Sequence, residues 1–224
     1  MRPTTLLPML TLLAAASLLG ACSSTPPAAA PRAPLKLTIL HTNDHHGRFW
    51  TNGDGEGGLA ARKTLIDRLR AEVAAAGGHS LLLDGGDVNT GVPESDLQDA
   101  EPDFKGMDRI GYDAVAVGNH EFDKPPAVLA KQRQWVKFPL LSANIYGRDG
   151  QRVFEPYRLF ERGGYKIAVM GLTTDDTVKM VLPDHIAGLT FRKPAEEAAA
   201  LVPQLRAQAD MVIEAATENL DLKL

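Results

Sequence analysis

From Leu35 onward, short apolar and β-branched runs alternate with longer stretches whose apolar residues recur at helical spacing. That pattern predicts an α/β layered domain. "LKLTILHT", "HSLLLDGGD", "YDAVAVGNHEFD", "FPLLSANI", "YKIAVMGLTT" and "ADMVIEAAT" read as strands. "GGLAARKTLIDRLRAEVAAAG" reads as a helix stopped by Gly77-Gly78, and "DFKGMDRIG" as a short helix closed by Gly111. "PPAVLAKQRQWV" reads as a helix entered through prolines, and "KPAEEAAALVPQLRAQ" as a helix broken at Pro203. No internal repeat of fixed length is present.

The polar residues gather where three of these strands end: Asp44 and His46 after the first, Asp87 after the second, Asn119 and His120 after the third. Ligands of open α/β sheets bind beyond the carboxyl ends of strands, so the three clusters are expected to converge at one edge. Oxygen and nitrogen donors without thiolates suit Zn²⁺, Mn²⁺ or Mg²⁺. A carboxylate shared by two such cations belongs to centres that clamp and hydrolyse phosphate esters. In "NHEFD", His120 and Asp123 lie close enough for the carboxylate to hold one imidazole nitrogen and fix the tautomer. Two blander readings stand beside these: Asp123 as N-cap of the helix starting near Pro125, and Asn119 as an amide capping its own turn.

Composition narrows the partners. With 24 Lys and Arg against 28 Asp and Glu in 224 residues, the net charge is −4 and no basic stripe forms. Nucleic-acid binding is therefore not expected. Residues 1–21 carry an early Arg2 and an apolar stretch from Leu6 to Leu19, the pattern of a secretion signal. "LGAC" resembles a bacterial lipobox, which makes Cys22 the expected lipid attachment site. It is the only cysteine, so no internal disulfide competes for it. Residues 22–34 are then a Pro/Ala-rich tether on the membrane surface, and 35–224 the folded region.

"ILHTNDHHG", "GGDVNTG" and "GNHEFD" resemble the three N-terminal motifs of calcineurin-like metallophosphoesterases, in the branch containing the 5′-nucleotidases. "TGVPESDLQDAEPDFKGMD", "FPLLSANIY" and "IAVMGLTTDDT" look like the bacterial periplasmic UDP-sugar hydrolase/5′-nucleotidase family within it. The likeness covers roughly residues 35 to 217. It implies a layered β-sandwich flanked by helices and two divalent metal ions (Zn, Mn, Co or Mg). Asp44 and His46 would bind the first ion, Asp87 would bridge, and Asn119 would bind the second. His120, oriented by Asp123, would stabilise charge developing on the phosphoryl group. The substrate would be a small nucleotide or UDP-sugar, and the site of action the periplasm, with the lipid anchor leaning to the outer membrane.

His45 fills a variable position and reads as a plain loop histidine, and Asp84 precedes the two glycines rather than following them, so neither is expected to bind metal. His41, His79 and His185 read as structural or solvated. Trp50 and Trp135 invite a base-stacking role, but Trp135 falls at helical spacing and reads as core. The resemblance departs after "MVIEAAT", where a Thr-His pair and further metal-binding histidines are expected. Here Glu218 follows Thr217. The domain is thus expected to be incomplete at its C-terminal end, and the change of register suggests a truncated or frame-shifted reading frame. Two further readings follow: a catalytically silent remnant or binding lipoprotein keeping half of the metal site, and a cyclic-nucleotide phosphodiesterase.

Overall fold

The structure is a computed structural model, and it describes residues 32–216. The expected signal segment, Cys22, most of the expected tether and Glu218 lie outside the described residues. The chain runs β1 (Leu37–Thr42), α1 (Gly58–Ala75), β2 (His79–Asp84), α2 (Pro93–Asp96), α3 (Glu101–Ile110), β3 (Ala114–Ala116) and α4 (Pro126–Trp135). It continues through β4 (Leu140–Leu141), β5 (Ile145–Tyr146), β6 (Tyr157–Arg162), β7 (Tyr165–Gly171), α5 (Thr177–Met180), β8 (Thr190–Phe191), α6 (Pro194–Arg206) and β9 (Met211–Ala215).

Strands β1 to β4 form one parallel sheet in sequence order, with intervening helices supplying the crossovers that parallel pairing demands. Strands β6, β7 and β9 form a second sheet, antiparallel between β6 and β7 and parallel between β7 and β9. Strand alternation builds the layers. In β2, Leu81 and Leu83 point to the second sheet, while Leu82 points to the helices α1, α3 and α4. In β7, Ile167 and Val169 face the first sheet, whereas Ala168 and Met170 face α6. Central strands buried on both faces read as continuous apolar runs for this reason. Each fully buried Leu contributes about 1.5–3 kcal/mol of transfer free energy. The result is helices, sheet, sheet, helix: the expected layered β-sandwich flanked by helices.

Three elements differ from expectation. "FPLLSANI" is not one strand but β4 and β5, in separate sheets. The buried Asn144 amide takes over backbone pairing there, donating to the carbonyls of Thr173 (2.6 Å) and Arg192 (2.8 Å) and accepting from the Thr173 N–H. Side-chain bonding of this kind diverts a chain from its ladder. Strand β6, unforeseen, hairpins onto β7 through Gly163-Gly164, both at positive φ as a two-residue hairpin turn requires. Finally, α6 runs unbroken through Pro203. Pro203 and Ala199 both lie on the exposed face, so the carbonyl that loses its N–H partner meets water.

Candidate metal centre

The first two strands end side by side, Thr42 opposite Asp84, and the loops beyond them stay joined. Gly85 N–H donates to Thr42 O, Asp44 N–H to Gly86 O, His46 N–H to Asp87 O and Gly47 N–H to Val88 O, all at 2.8–3.1 Å. Within this irregular ladder Asp44, His46 and Asp87 adopt left-handed backbone conformations, with φ of 52°, 46° and 57°. Non-glycine residues pay about 1 kcal/mol or more for that region, so three together mark a place where surrounding bonds impose the geometry.

Donor atoms of His46, Asp87 and His120 all lie within 4.8 Å of one another. Asp44 Oδ1 is 3.6 Å from His46 Nε2, and the two imidazoles meet edge-on with centroids 4.7 Å apart. Both rings are held by their other nitrogen. His46 Nδ1 is 2.8 Å from the Thr90 carbonyl, which only accepts, so Nδ1 carries the proton and Nε2 keeps its lone pair. His120 Nδ1 is 2.6 Å from Asp123 Oδ2. The Thr90 hydroxyl donates to that same oxygen, so one threonine orients both histidines. Asp87 is 3% exposed, and its Oδ1 accepts the His120 N–H at 2.9 Å. Asn119, 6% exposed, sits immediately before that N–H.

A fully buried carboxylate ties the second and third loops together. Glu121 Oε2 accepts from the N–H groups of Gly118 (2.7 Å) and Asp87 (3.0 Å), and Oε1 from those of Val88 (2.9 Å) and Asn89 (3.3 Å). Burial pushes Glu121 up to about 7, with Asp87 adding to the rise and the backbone donors opposing it. Burial likewise raises Asp87, against the opposing pull of the His120 N–H and the nearby histidines. For His120, burial acts downward, but the Asp123 bond and the charges of Asp123 and Asp87 outweigh it and raise the imidazole. Gly118 makes the closeness possible: a Cβ there would stand 2.1 Å from Asp87 Oδ1. Carboxylate and imidazole donors, oriented from behind and free of thiolate, fit hard or borderline divalent cations.

The fold therefore brings Asp44, His46, Asp87, Asn119, His120 and Asp123 to one edge. Neither blander reading appears: α4 has no side-chain cap, Asp123 being turned to His120, and Asn119 caps nothing by its side chain. His45 is not a plain loop histidine. It is buried, with Nε2 2.8 Å from Asp103 Oδ1 and Nδ1 3.2 Å from an Arg62 nitrogen. Burial lowers its pKa, and the neutral ring then accepts from Arg62 and donates to Asp103. Asp84 also turns inward, to Thr42 Oγ1 and the Gly86 N–H, and burial raises it to about 6. His185 supports the site from beneath, 3.0 Å from the Phe122 carbonyl, while His41 and His79 are exposed on their strands. Sequence reasoning missed Thr90, Asp103 and Glu121. Each lies inside a stretch quoted above, Thr90 in "GGDVNTG", Asp103 in "TGVPESDLQDAEPDFKGMD" and Glu121 in "GNHEFD", but nothing in the residue type announced its partners.

A family model described as calcineurin-like phosphoesterase matches residues 37–215. The chain belongs to the calcineurin-like phosphoesterases. Among curated relatives, the chain is 66% identical over 172 residues to a 5′-nucleotidase of Vibrio cholerae and 63% identical over 172 residues to protein UshA of Escherichia coli. Each alignment covers 76% of this chain and 31% of the relative, so the chain spans about a third of their length. Among solved structures, the 5′-nucleotidase precursor of Thermus thermophilus superposes with a TM-score of 0.70 at 34% identity, covering 80% of this chain and 36% of that chain. Among the described residues, no helix is long and apolar enough to cross a membrane.

Proposed function

We propose that this phosphoesterase hydrolyses nucleotide 5′-phosphates and nucleoside-diphosphate sugars outside the cytoplasm, with Asp44, His46, Asp87 and Asn119 holding two divalent cations. One observation carries the reading: three donor side chains converge within 4.8 Å, and both imidazoles are held from behind by partners that leave Nε2 facing the centre. Cations bound there would supply Lewis-acid stabilisation of a phosphoryl group. The chain's own part is orientation and charge. Asp123 holds His120 with the proton on Nδ1, and the Asp123 bond and the charges of Asp123 and Asp87 favour the protonated ring. A protonated Nε2 donates to a phosphoryl oxygen as its negative charge grows. Glu121 keeps the Asp87 and Gly118 backbones together, so the carboxylate and this imidazole keep their spacing.

The test is phosphate release from AMP and from UDP-glucose with Mn²⁺, Co²⁺ or Zn²⁺ added, then with chelator. Release that chelator abolishes supports the hydrolase. Mn²⁺ binding without release under any metal supports the silent binding lipoprotein instead. Asp87→Asn should weaken Mn²⁺ binding about tenfold or more by isothermal titration. Unchanged affinity would remove Asp87 from the ligand set.

The location belongs to the same proposal. "LGAC" supports cleavage before Cys22 and lipid attachment there, with the Pro/Ala-rich segment as tether and the domain in the periplasm. Cys22→Ala should release the protein from the membrane fraction or block its processing. Continued membrane fractionation of a processed variant would reject the lipid anchor.

A further inference from the structure

Beside the metal centre the chain leaves His46 through Gly47 and Arg48 and reaches a cavity of about 530 Å³, lined among others by Arg48, Trp50, Asn52, Glu56 and Glu94. The volume is that of a small-molecule site. The two tryptophans differ: Trp135 packs against the core, whereas Trp50 is 69% exposed. Phe49 meets the Trp50 ring edge-on, 4.9 Å between centroids and 73° between planes.

The segment that carries the indole is braced. Asn52 Oδ1 accepts the N–H groups of Asp54 (3.0 Å) and Glu56 (2.8 Å), and Asn52 N–H donates to Glu56 O (2.8 Å). Leu59 N–H closes the loop onto Phe49 O at 2.9 Å. Among the described residues, no carboxylate pairs with Arg48 and no hydrogen bond engages the Glu94 side chain. A solvated indole on a braced loop, with an unpaired guanidinium and two carboxylates around it, is a recognition surface without an assigned ligand.

The donor and acceptor balance selects that ligand. Carboxylates only accept, so Glu56 and Glu94 suit a molecule that donates around its rim. A nucleobase sets its few N–H donors beside ring nitrogens and carbonyls that need donors, all in the plane of the ring. A pyranose presents hydroxyl donors at its rim and an apolar C–H face that fits an indole. Arg48, nearest the ligand loop, suits a phosphate. We propose that this cavity is a subsite for a pyranosyl phosphate, the half of a diphosphate-linked sugar that lies beyond the cleaved phosphorus. Its orientation toward the metal centre rests on the hydrolase reading, but its ligand chemistry does not.

The experiment is therefore a binding one, on the full chain, with and without Mn²⁺. Glucose 1-phosphate is titrated against tryptophan emission and by calorimetry, with inorganic phosphate and uridine as separate probes. Saturable quenching by glucose 1-phosphate is expected, kept in Trp135→Phe and weakened about tenfold or more in Trp50→Ala and Glu94→Gln. Both Trp50 and Glu94 are exposed, and circular dichroism checks that the variants fold. Glucose 1-phosphate binding unchanged by Trp50→Ala overturns the proposal. So does an equal Trp50 response to uridine, or one to inorganic phosphate alone. If the chain releases no phosphate from AMP yet binds glucose 1-phosphate through Trp50, the hydrolase reading fails and the subsite stands.

Discussion

Gly118→Ala perturbs the candidate centre by a single methyl group, and the structure fixes what that methyl would meet. The added Cβ would stand 2.1 Å from Asp87 Oδ1, 2.7 Å from Asp87 N and 2.8 Å from Asp87 Cγ. Two of these atoms belong to the carboxylate and one to backbone, so no flexible tip can swing away. The oxygen must retreat by more than an ångström to reach ordinary contact at 3.4 Å. It cannot do so without releasing the His120 N–H at 2.9 Å or drawing Gly118 and Asp87 N–H off Glu121.

Overpacking of this kind costs about 1–3 kcal/mol. One weakened bond to a charged acceptor adds about 1.5–3 kcal/mol. The stiffer unfolded chain of an alanine variant returns about 0.4–1 kcal/mol. The net expectation is a loss of about 2–4 kcal/mol in urea denaturation, a large share of a stability of about 5–15 kcal/mol. Metal ligation tolerates shifts of only about 0.2 Å, so Mn²⁺ affinity should also fall, by about 10- to 100-fold. Gly53→Ala is the control: it meets nothing within 4 Å and should be neutral or slightly stabilising. A Gly118→Ala variant within about 0.5 kcal/mol of wild type, the range of an indifferent surface change, with Mn²⁺ affinity intact, would refute the placement of Asp87 against Gly118.

His45→Phe keeps an aromatic ring, a somewhat larger one, but strips the buried Asp103 of a donor, leaving Ser95 Oγ at 2.6 Å, and should cost about 2–4 kcal/mol in chemical denaturation. A loss under about 0.5 kcal/mol would show that the inward histidine bears no structural load. Asp123→Asn should lower the His120 pKa, because the Asp123 bond and charge are what raise it; an NMR titration of chelated protein unmoved by the change would count against that cause. By the same sign, wild-type His120 stabilises the fold most below its unfolded pKa, and that contribution fades as pH rises through its raised folded value. Asp84 is raised from 3.8 to about 6, so the fold gains from its protonated form below about pH 4 and loses about 3 kcal/mol as pH climbs to 6 and beyond. Asp84→Asn should flatten the pH dependence of stability in that window, and an unchanged slope would exclude Asp84 as its source.

The clusters at the ends of β1, β2 and β3 were legible because polar residues directly after a buried apolar run have no other place to go. The layering was legible too, since β2 and β7 carry unbroken buried apolar runs, Leu81–Leu83 and Ile167–Met170. The split of β4 from β5 was not, because it depends on Asn144 finding carbonyls at Thr173 and Arg192, far along the chain. Glu121 was equally hidden. In sequence it is one acid among many, and only the convergence of four N–H groups from two loops makes it a clamp.

His45 and His46 show where local reading ends. They are chemically identical and adjacent, in a turn where successive side chains leave in different directions. His46 faces the centre because its Nδ1 finds the Thr90 carbonyl, and His45 faces the core because its Nε2 finds Asp103, 58 positions away. Burial of one neutral ring against a buried carboxylate and exposure of the other to oxygen donors are set together by the left-handed backbone at His46. A residue's name and neighbours therefore supply the chemistry available at a strand end. Which of two equal donors supplies it is decided by partners the chain reaches only after folding.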